Sequence, residues 1–499
     1  MYQKINRQFL VILIILVLIT GLAAFLRLYQ IGKQSFWLDE AATYAYSGGS
    51  FADLVSIIKS DPNMSLFYFL TFIWIKVFPN ATEATHRALS AILSVASIPV
   101  VFLLGRTMSS DRLKAAAIGL IACFMVTVNA FHIEYAQEFR SYSLTFLLTS
   151  LSTYLFITAI ENTDKRKQSL VWYTLITVAA VYSHFYAIFI IIAHALALLI
   201  FLFNKERLSI KLKPIILSGI GMACLLLPII ILAYFQRQDD ISWVSKPTFG
   251  TVKTFAKLIT GNEGEGLFMF YPLFAGIGIF FRERFGFQKD TLSRWKIALM
   301  ICCLTFPVIS SLFISYYYYP IFVPKYLLYI MPFLTVLAAY GIVALASFAW
   351  ERKRFHSLVV PAAIGVLALF GSLSLVGVKS YYQNHQKTDW RTASQLMTTR
   401  CSDALRLYYA PYVDMSVLYY NPALTSQKAD WWVDTLQSNP DADQLAASLP
   451  NEYDQVCLVL AHAVDQNQQM VIQNALKKIY PDVSSIKYDE VLEIQIYKR

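Results

Sequence analysis

Charge is what this 499-residue chain has least of: only 15% of its residues are Asp, Glu, Lys or Arg. A soluble domain carries about 25%. Here 57% of the residues are hydrophobic and the mean hydropathy is +0.50, so a polytopic α-helical membrane protein is expected. Cysteine is also scarce, six residues in all, which excludes a disulfide scaffold. Internal repeats and low-complexity tracts are absent. The start of the chain lacks the short apolar core and small-residue cleavage site of a signal peptide. Lys4 and Arg7 instead precede an apolar run from Phe9 to Leu28, close to the ~20 residues that span a bilayer, which reads as an uncleaved anchor. A net charge of +10 does not imply a nucleic-acid partner, because the basic residues sit in short clusters between apolar runs.

About eleven spans are expected, near 9–28, 86–105, 115–131, 141–160, 170–182, 185–203, 214–233, 267–281, 297–315, 327–350 and 357–378. Clusters of Lys and Arg fall at every second connection, at Lys4/Arg7, Arg106/Arg112/Lys114, Lys165/Arg166/Lys167, Lys205/Arg207/Lys211/Lys213, Arg282/Arg284/Arg294/Lys296 and Arg352/Lys353/Arg354. By the positive-inside rule the N-terminus then lies in the cytoplasm and the C-terminus outside. The apolar stretch Met64–Phe78 is too short for a span and would reverse this parity, so it reads as an interfacial or re-entrant helix.

Residues 1–378 thus form a transmembrane module with two long outer loops, 29–83 and 234–266. The second mixes Trp243, Phe249 and Phe255 with Lys246, Lys253 and Lys257 and ends in GNEGEG, a pattern that fits a mobile lid and a plain amphipathic connector equally. From 379 to 499 polar residues rise. A helix at 389–398, strands at 404–409 and 454–461, a helix at 466–479 and a terminal strand or hairpin at 486–497 suggest a small extracytoplasmic α/β domain. Its Cys401 and Cys457 read either as one disulfide or as two buried thiols.

The ionisable residues gather at the outer connections. FWLDEA places Asp39 and Glu40 at the outer mouth of the first span. FHIEYAQEFRSY packs His132, Glu134, Glu138, Arg140 and Tyr142 at the end of another, either a helix-end ion network or a site. Tyr182-Ser183-His184-Phe185-Tyr186 and Pro324-Lys325-Tyr326 complete the set, with a structural histidine and a snorkelling lysine as their plain readings. Paired acids beside a membrane are costly unless they do something. Transfer of a sugar from a lipid phosphate needs a base for the acceptor proton, fixed cations for the departing phosphate and an apolar entrance for the lipid tail.

The order of these segments resembles a known family. An acidic pair follows the first helix, then DPNMSLFYFL, then Arg87 in THRALS, then QEFRSYSL, SHFYAIF and PKYLLYIMPFL, over residues 5–350; DWRTASQLM at 389–397 is similar to the start of many soluble tails. The chain resembles the bacterial protein O-mannosyltransferase-like branch of the C-type glycosyltransferase superfamily, which includes lipid A aminoarabinose transferases. The resemblance implies an inverting transfer from a polyprenyl-phosphate sugar to a hydroxyl of a lipid, polysaccharide or protein acceptor. It implies Asp39 as base with Glu40 beside it, and Glu138 as the second acid. Arg140 and Lys325 are then the phosphate partners; beyond what the resemblance implies, Arg87 and His184 are further candidates for the donor phosphate. Glu134, Tyr142, Tyr182 and Tyr326 are candidate substrate contacts. Lys325 stands where many relatives carry Arg, a point charge in place of a bidentate fork. Pro62 is followed by Asn-Met-Ser where the family often has Pro-Pro before Leu-Tyr-Tyr, which leaves the shape of that segment open. Some members use a divalent metal; His132 and Glu134 alone are too few ligands. The rival readings are a transporter or flippase of lipid-linked sugars, disfavoured by the absence of repeats, and a non-catalytic membrane scaffold.

Overall fold

The computed structural model describes residues 2–203, 212–235, 244–261, 265–285, 292–351, 356–384, 387–409, 413–427, 441–450, 452–461, 466–489 and 491–499. Lys205, Arg207, Lys211, Trp243, residues 262–264 of the Gly-rich run and Arg352/Lys353/Arg354 lie outside the described residues. The chain divides into two compact units, one of residues 1–31, 51–74 and 85–385, the other of 32–50, 75–84 and 386–499.

The helices run in chain order as α1 (Tyr2–Leu28), α2 (Leu38–Gly48), α3 (Phe51–Ser60), α4 (Ser65–Val77), α5 (Glu83–Arg106), α6 (Arg112–Thr127), α7 (Ala130–Ala136), α8 (Tyr142–Glu161), α9 (Arg166–Ser183), α10 (Ile188–Phe203), α11 (Leu212–Phe235), α12 (Phe249–Ile259), α13 (Glu265–Phe285), α14 (Leu292–Tyr317), α15 (Met331–Glu351), α16 (His356–Asn384), α17 (Trp390–Arg400) and α18 (Asp414–Tyr420). Among the described residues eight helices are long and apolar enough to cross a membrane, or nine if α6 and α7, bent by 64°, count as one span. The expected spans at 170–182 and 267–281 are helical, as α9 and α13, but fall short of this standard. α9 begins with Arg-Lys-Gln and keeps Tyr, Thr and Ser along its length, and the apolar part of α13 is only Gly266–Phe280. The stretch 64–78 is the short apolar helix α4.

Burial sorts the spans. The segment Pro324–Glu351 is 94% buried along its most apolar stretch and α1 only 17%. α15 is thus the core of the first unit, and α1 presents Leu13, Ile14, Val17 and Leu18 outward, as a lipid-facing helix must. α15 meets α13 at a pair of glycines. A Cβ on Gly341 would stand 1.7 Å from the Phe274 carbonyl oxygen and one on Gly278 2.8 Å from the Gly341 Cα, the close backbone approach that small residues permit between membrane helices. The hydroxyl-rich α8 is joined to its neighbours by interhelical bonds, Ser152–Thr177 at 2.6 Å and Thr153 Oγ1 to His194 Nε2 at 3.0 Å, with Tyr173 on the other ring nitrogen at 3.0 Å. Such bonds are worth about 0.6–2 kcal/mol each.

At the α6–α7 bend the last carbonyls of α6 lose their helical partners. Arg27 of α1 takes two of them, donating to Thr127 O at 3.1 Å and Val126 O at 3.2 Å. Its remaining donors go to Ala23 O, Ser94 Oγ and His132 Nδ1.

The second unit carries a four-stranded sheet. β1 (Leu405–Tyr409), β2 (Gln455–Ala461), β3 (Asp482–Lys487) and β4 (Leu492–Lys498) stand in the order β1-β2-β4-β3, with β1 and β2 parallel and the other pairs antiparallel. Alternating residues feed two cores. Tyr408, Cys457, Val459 and Ile494 pack with α17 and α18, while Leu407, Leu458, Leu460 and Tyr497 pack with the helices Ala442–Ser448 and Gln466–Ile479. Cys401 and Cys457 form a disulfide across 56 residues, a loop closure worth roughly 3–5 kcal/mol.

Two pieces of the first loop belong to this unit. Glu83 accepts Arg391 at 2.6 and 3.0 Å and the Tyr420 hydroxyl at 2.9 Å. Ser35 donates to Thr388 O at 2.7 Å and Phe36 N–H to the Tyr420 oxygen at 2.6 Å. Glu40 is fully buried, pairs with Lys387 at 3.1 Å and accepts the Trp37 N–H at 3.4 Å. α2, with Asp39 in its first turn, is therefore pinned to the chain that follows the last span.

Two outcomes follow. Gly341→Ala should lower stability in detergent by about 1–3 kcal/mol, while Gly276→Ala, whose Cβ meets nothing within 4 Å, should leave the melting temperature unchanged. Lys387→Met strands a buried carboxylate and should cost about 3–5 kcal/mol; adding Glu40→Gln should recover most of it. Equal melting curves for the single variant and wild type would remove the pair from the framework.

Candidate active site

In the first unit the site grows from the turn between α7 and α8. Asn129 starts α7 by accepting the His132 N–H at 3.0 Å, and Gln137 ends it by donating to the carbonyls of Arg27 at 3.0 Å and Tyr29 at 2.8 Å. Arg140 N–H folds back on Glu138 O at 2.8 Å, and Ser90 of α5 holds the Arg140 carbonyl at 3.1 Å. Glu138 and Arg140 are thereby presented at the start of α8. Tyr381 of α16 donates to Gln137 Oε1 at 2.8 Å, and Glu134, Glu138 and Arg87 all lie within electrostatic reach of it. Arg87 is buried and donates to Ile31 O at 3.0 Å, so one of its donors already closes the end of the first span.

The second part is the corner between α9 and α10. His184 is extended and Phe185–Ala187 form a 3₁₀ turn. Thr145 and Ser183 meet at 2.9 Å and fix this corner to α8. The 3₁₀ segment Pro324–Ile330 brings Lys325 and Tyr326 to it. Tyr326 lies 4.8 Å from the His184 ring, 5.2 Å from Tyr186 and stacks on Tyr142 at 6.2 Å. Lys325 Nζ stands 5.9 Å from the ring centres of both Tyr142 and Tyr326, within cation–π range. Burial pushes the His184 imidazole down to about 3, and the charges of Arg140 and Lys325 add to it. The imidazole is therefore neutral at ordinary pH.

The third part is Asp61, which the motif reading passed over. It follows α3, accepts the Tyr68 hydroxyl at 3.0 Å and lies in the field of Arg140. Burial raises its carboxyl above the usual carboxylate range, opposed by Tyr68 and then Arg140. The segment whose shape the missing Pro-Pro left open is defined here. Asn63 Oδ1 accepts the Phe185 N–H at 3.2 Å, and buried Met64 sits at φ +66°. A left-handed residue with a Cβ costs about 1–2 kcal/mol. The sequence cue was the acid that opens DPNMSLFYFL.

Structure brings Arg140, Lys325, His184, Tyr142, Tyr326 and Asp61 together, while Tyr182, His132 and Glu40 have partners of their own. Tyr182 faces away, its hydroxyl donating to Leu225 O of α11 at 3.0 Å. His132 is not placed as a metal ligand, because its Nδ1 accepts from the Arg27 guanidinium at 2.7 Å and a cation there opposes a metal. Among the described residues no group of three His, Cys, Asp or Glu side chains is set to hold a metal ion. Asp39 and Glu40 lie in the second unit. Glu40 is taken up by Lys387 and the α2 cap, while Asp39 is half-buried in the first helical turn, the end that favours negative charge.

An apolar cavity of about 280 Å³ lies among α12, α13, α14 and α15, lined by Phe255, Ile259, Phe268, Leu304, Val308 and Leu334. The described part of the second long loop is the amphipathic α12. Phe255 and Ile259 are its buried face and Phe249 is exposed.

No protein-family model and no curated protein sequence matches the chain. Solved structures do. ArnT from Cupriavidus metallidurans superposes with a TM-score of 0.62 at 12% identity in its apo state and 0.61 at 10% bound to undecaprenyl phosphate, over 96% of this chain and 97% of that one. The archaeal oligosaccharyltransferase AglB from Archaeoglobus fulgidus, in complex with an inhibitory peptide and a dolichol-phosphate, gives 0.57 at 12% identity over 90% of this chain and 69% of that one. The arabinofuranosyltransferase AftD from Mycobacteria gives 0.54 at 10%, over 97% of this chain and 40% of that one. At such identities the likeness is one of fold, and the fold of this chain is that of the C-type membrane glycosyltransferases.

Proposed function

We propose that the chain is a membrane glycosyltransferase that moves a sugar from a polyprenyl-phosphate donor to an acceptor hydroxyl, with inversion, on the outer face of the cytoplasmic membrane. The observation that carries this reading is the meeting of two cations distant in sequence. Arg140 and Lys325 both act on His184, and Lys325 lies over the Tyr142 and Tyr326 rings. Phosphate is the ligand such a pair suits, and the pair gains value as charge develops on the leaving oxygen.

In this reaction the acceptor oxygen bonds to the anomeric carbon as the carbon–phosphate-oxygen bond breaks. The acceptor proton passes to Asp39, assigned on its place in FWLDEA, and the freed phosphate stays with Arg140 and Lys325. Glu138 and Asp61 offset the cations and accept from sugar hydroxyls. The Tyr142–Tyr326 pair supplies an aromatic wall, and the apolar cavity beside α12 suits part of the lipid tail. The fold relatives bound to undecaprenyl phosphate and dolichol-phosphate support the donor class, and the alternating basic clusters support the outward orientation. Acceptors are lipid, polysaccharide or protein hydroxyls.

The test is release of polyprenyl phosphate from a panel of polyprenyl-phosphate sugars by the protein in nanodiscs, with membrane extract as acceptor source, with and without a chelator to read any divalent-metal requirement. Wild type should release it with one donor. Asp39→Asn should lower kcat by about a hundredfold or more, and Arg140→Gln and Lys325→Gln should weaken both donor affinity and rate. Donor binding without release from any member of the panel would sink the transferase reading in favour of a flippase.

A further inference from the structure

Of the buried histidines described, His194 has both ring nitrogens bonded, to Thr153 and Tyr173. His132 gives Nδ1 to Arg27 and packs its ring on Phe146 at 4.3 Å, inside the helix core. The Nε2 of His132, like that of His184, has no hydrogen-bond partner among the described residues, and the buried His86 packs on Phe139 at 5.4 Å; His184 differs from these in what surrounds it. It is 2% exposed, and its Nδ1 accepts the Tyr186 N–H at 3.3 Å. A nitrogen that accepts carries no proton, so the proton resides on Nε2. That Nε2 has no hydrogen-bond partner among the described residues. A buried donor left unsatisfied is destabilising and asks for an explanation.

The surroundings supply one. The ring is walled by Tyr186 of its own corner, by Tyr142 of α8 at 6.3 Å and by Tyr326 of the 3₁₀ segment at 4.8 Å. The charged groups facing it are Arg140 from the α7–α8 turn and Lys325 from the 3₁₀ segment, both cations. A third cation between them is opposed by their charge, and a metal is opposed for the same reason. An anionic oxygen is drawn by both. We propose that His184 is an uncharged hydrogen-bond donor whose Nε2–H binds a phosphate oxygen of the ligand. The inference rests on the functional reading above and changes the part His184 plays there. It is a positioning donor and not one of the cations.

The experiment uses the full chain in nanodiscs of zwitterionic lipid. Dissociation constants for polyprenyl phosphate are measured from pH 5.5 to 7.5 for wild type, His184→Gln and His184→Phe, with inorganic phosphate and phosphatidylglycerol as competitors. Loss of one hydrogen bond to a charged acceptor should weaken binding by His184→Phe about ten- to hundredfold. His184→Gln, which keeps an N–H donor, should stay within about threefold of wild type. Ionisation of the phosphate itself, near pH 6, should move wild type and His184→Gln in parallel. Nitrogen NMR of histidine-labelled protein should show one neutral Nε2–H imidazole, absent from the variants, that does not titrate over this range. Displacement by inorganic phosphate or phosphatidylglycerol would uphold the hydrogen bond and name its source. Affinity of wild type climbing in acid beyond that of His184→Gln, or an Nδ1–H signal, would overturn the inference, as would full affinity in His184→Phe. The last result with normal turnover would leave the transferase standing, whereas absence of wild-type binding would remove both.

Discussion

The first unit depends on a guanidinium inside its core. Arg27 directs all five N–H donors of its planar group at Ala23 O, Thr127 O, Val126 O, Ser94 Oγ and His132 Nδ1, and it is fully buried while doing so. A membrane helix that bends by 64° releases carbonyls that lipid cannot satisfy. Without Arg27 the break between α6 and α7 would expose bare backbone. With it, α7 can leave the direction of α6 and deliver Glu138 and Arg140 beside the corner that carries His184. The charge is thus employed on backbone satisfaction, and Ser94 and His132 are the groups that absorb its remaining donors.

The bend is held from a second side by close packing. Asn129 caps α7 with its oxygen and donates through Nδ2 to Ile259 O at 3.1 Å, the end of α12. Gly261 follows at φ +84°, and a Cβ there would stand 2.8 Å from the Asn129 amide nitrogen; one on Gly377 would stand 2.3 Å from the Gly261 carbonyl oxygen. These contacts leave no room for a larger residue and tie the second long loop to the α6–α7 bend, at the start of the helix whose far end presents Arg140. α12 is consequently an anchored helix at its C-terminal end, which favours the connector over the mobile lid for that portion. Rigid support of this kind is what the proposed transfer needs to hold two cations in position before charge develops between them.

What the sequence made legible and what it hid divide along physical lines. Apolar runs of membrane length marked all eleven segments as helical, and period-2 and helical patterns marked α17, β1, β2, the helix Gln466–Ile479 and the terminal hairpin. These are local signals. Long-range partners are not local, so nothing in FWLDEA revealed that Glu40 would pair with Lys387. Tyr182 shows the limit at a finer scale. It is two residues from His184, but two residues are about 200° of helix rotation, and at the end of α9 that turn sends its hydroxyl to α11. Asp61 was missed for the opposite reason. Its neighbours in DPNMSLFYFL were read for shape, and only the fold sets the acid in the field of Arg140.

In the transfer proposed above, the electrostatic composition of the site has its own logic. A sugar phosphodiester carries one negative charge, and the phosphate monoester that leaves carries up to two. Interactions that strengthen as that second charge appears speed the reaction; those equally strong beforehand only tighten binding. A third cation beside Arg140 and Lys325 would hold the product as firmly as it helped form it. A neutral imidazole contributes direction without adding charge, and Lys325, facing two tyrosine rings, is partly satisfied before any ligand arrives. Asp61 and Glu138 work in the same sense, since each offsets cationic field when the site is empty. On the proposed reading, the arrangement favours a site that grips the departing phosphate through geometry more than through excess charge, and that therefore lets it go.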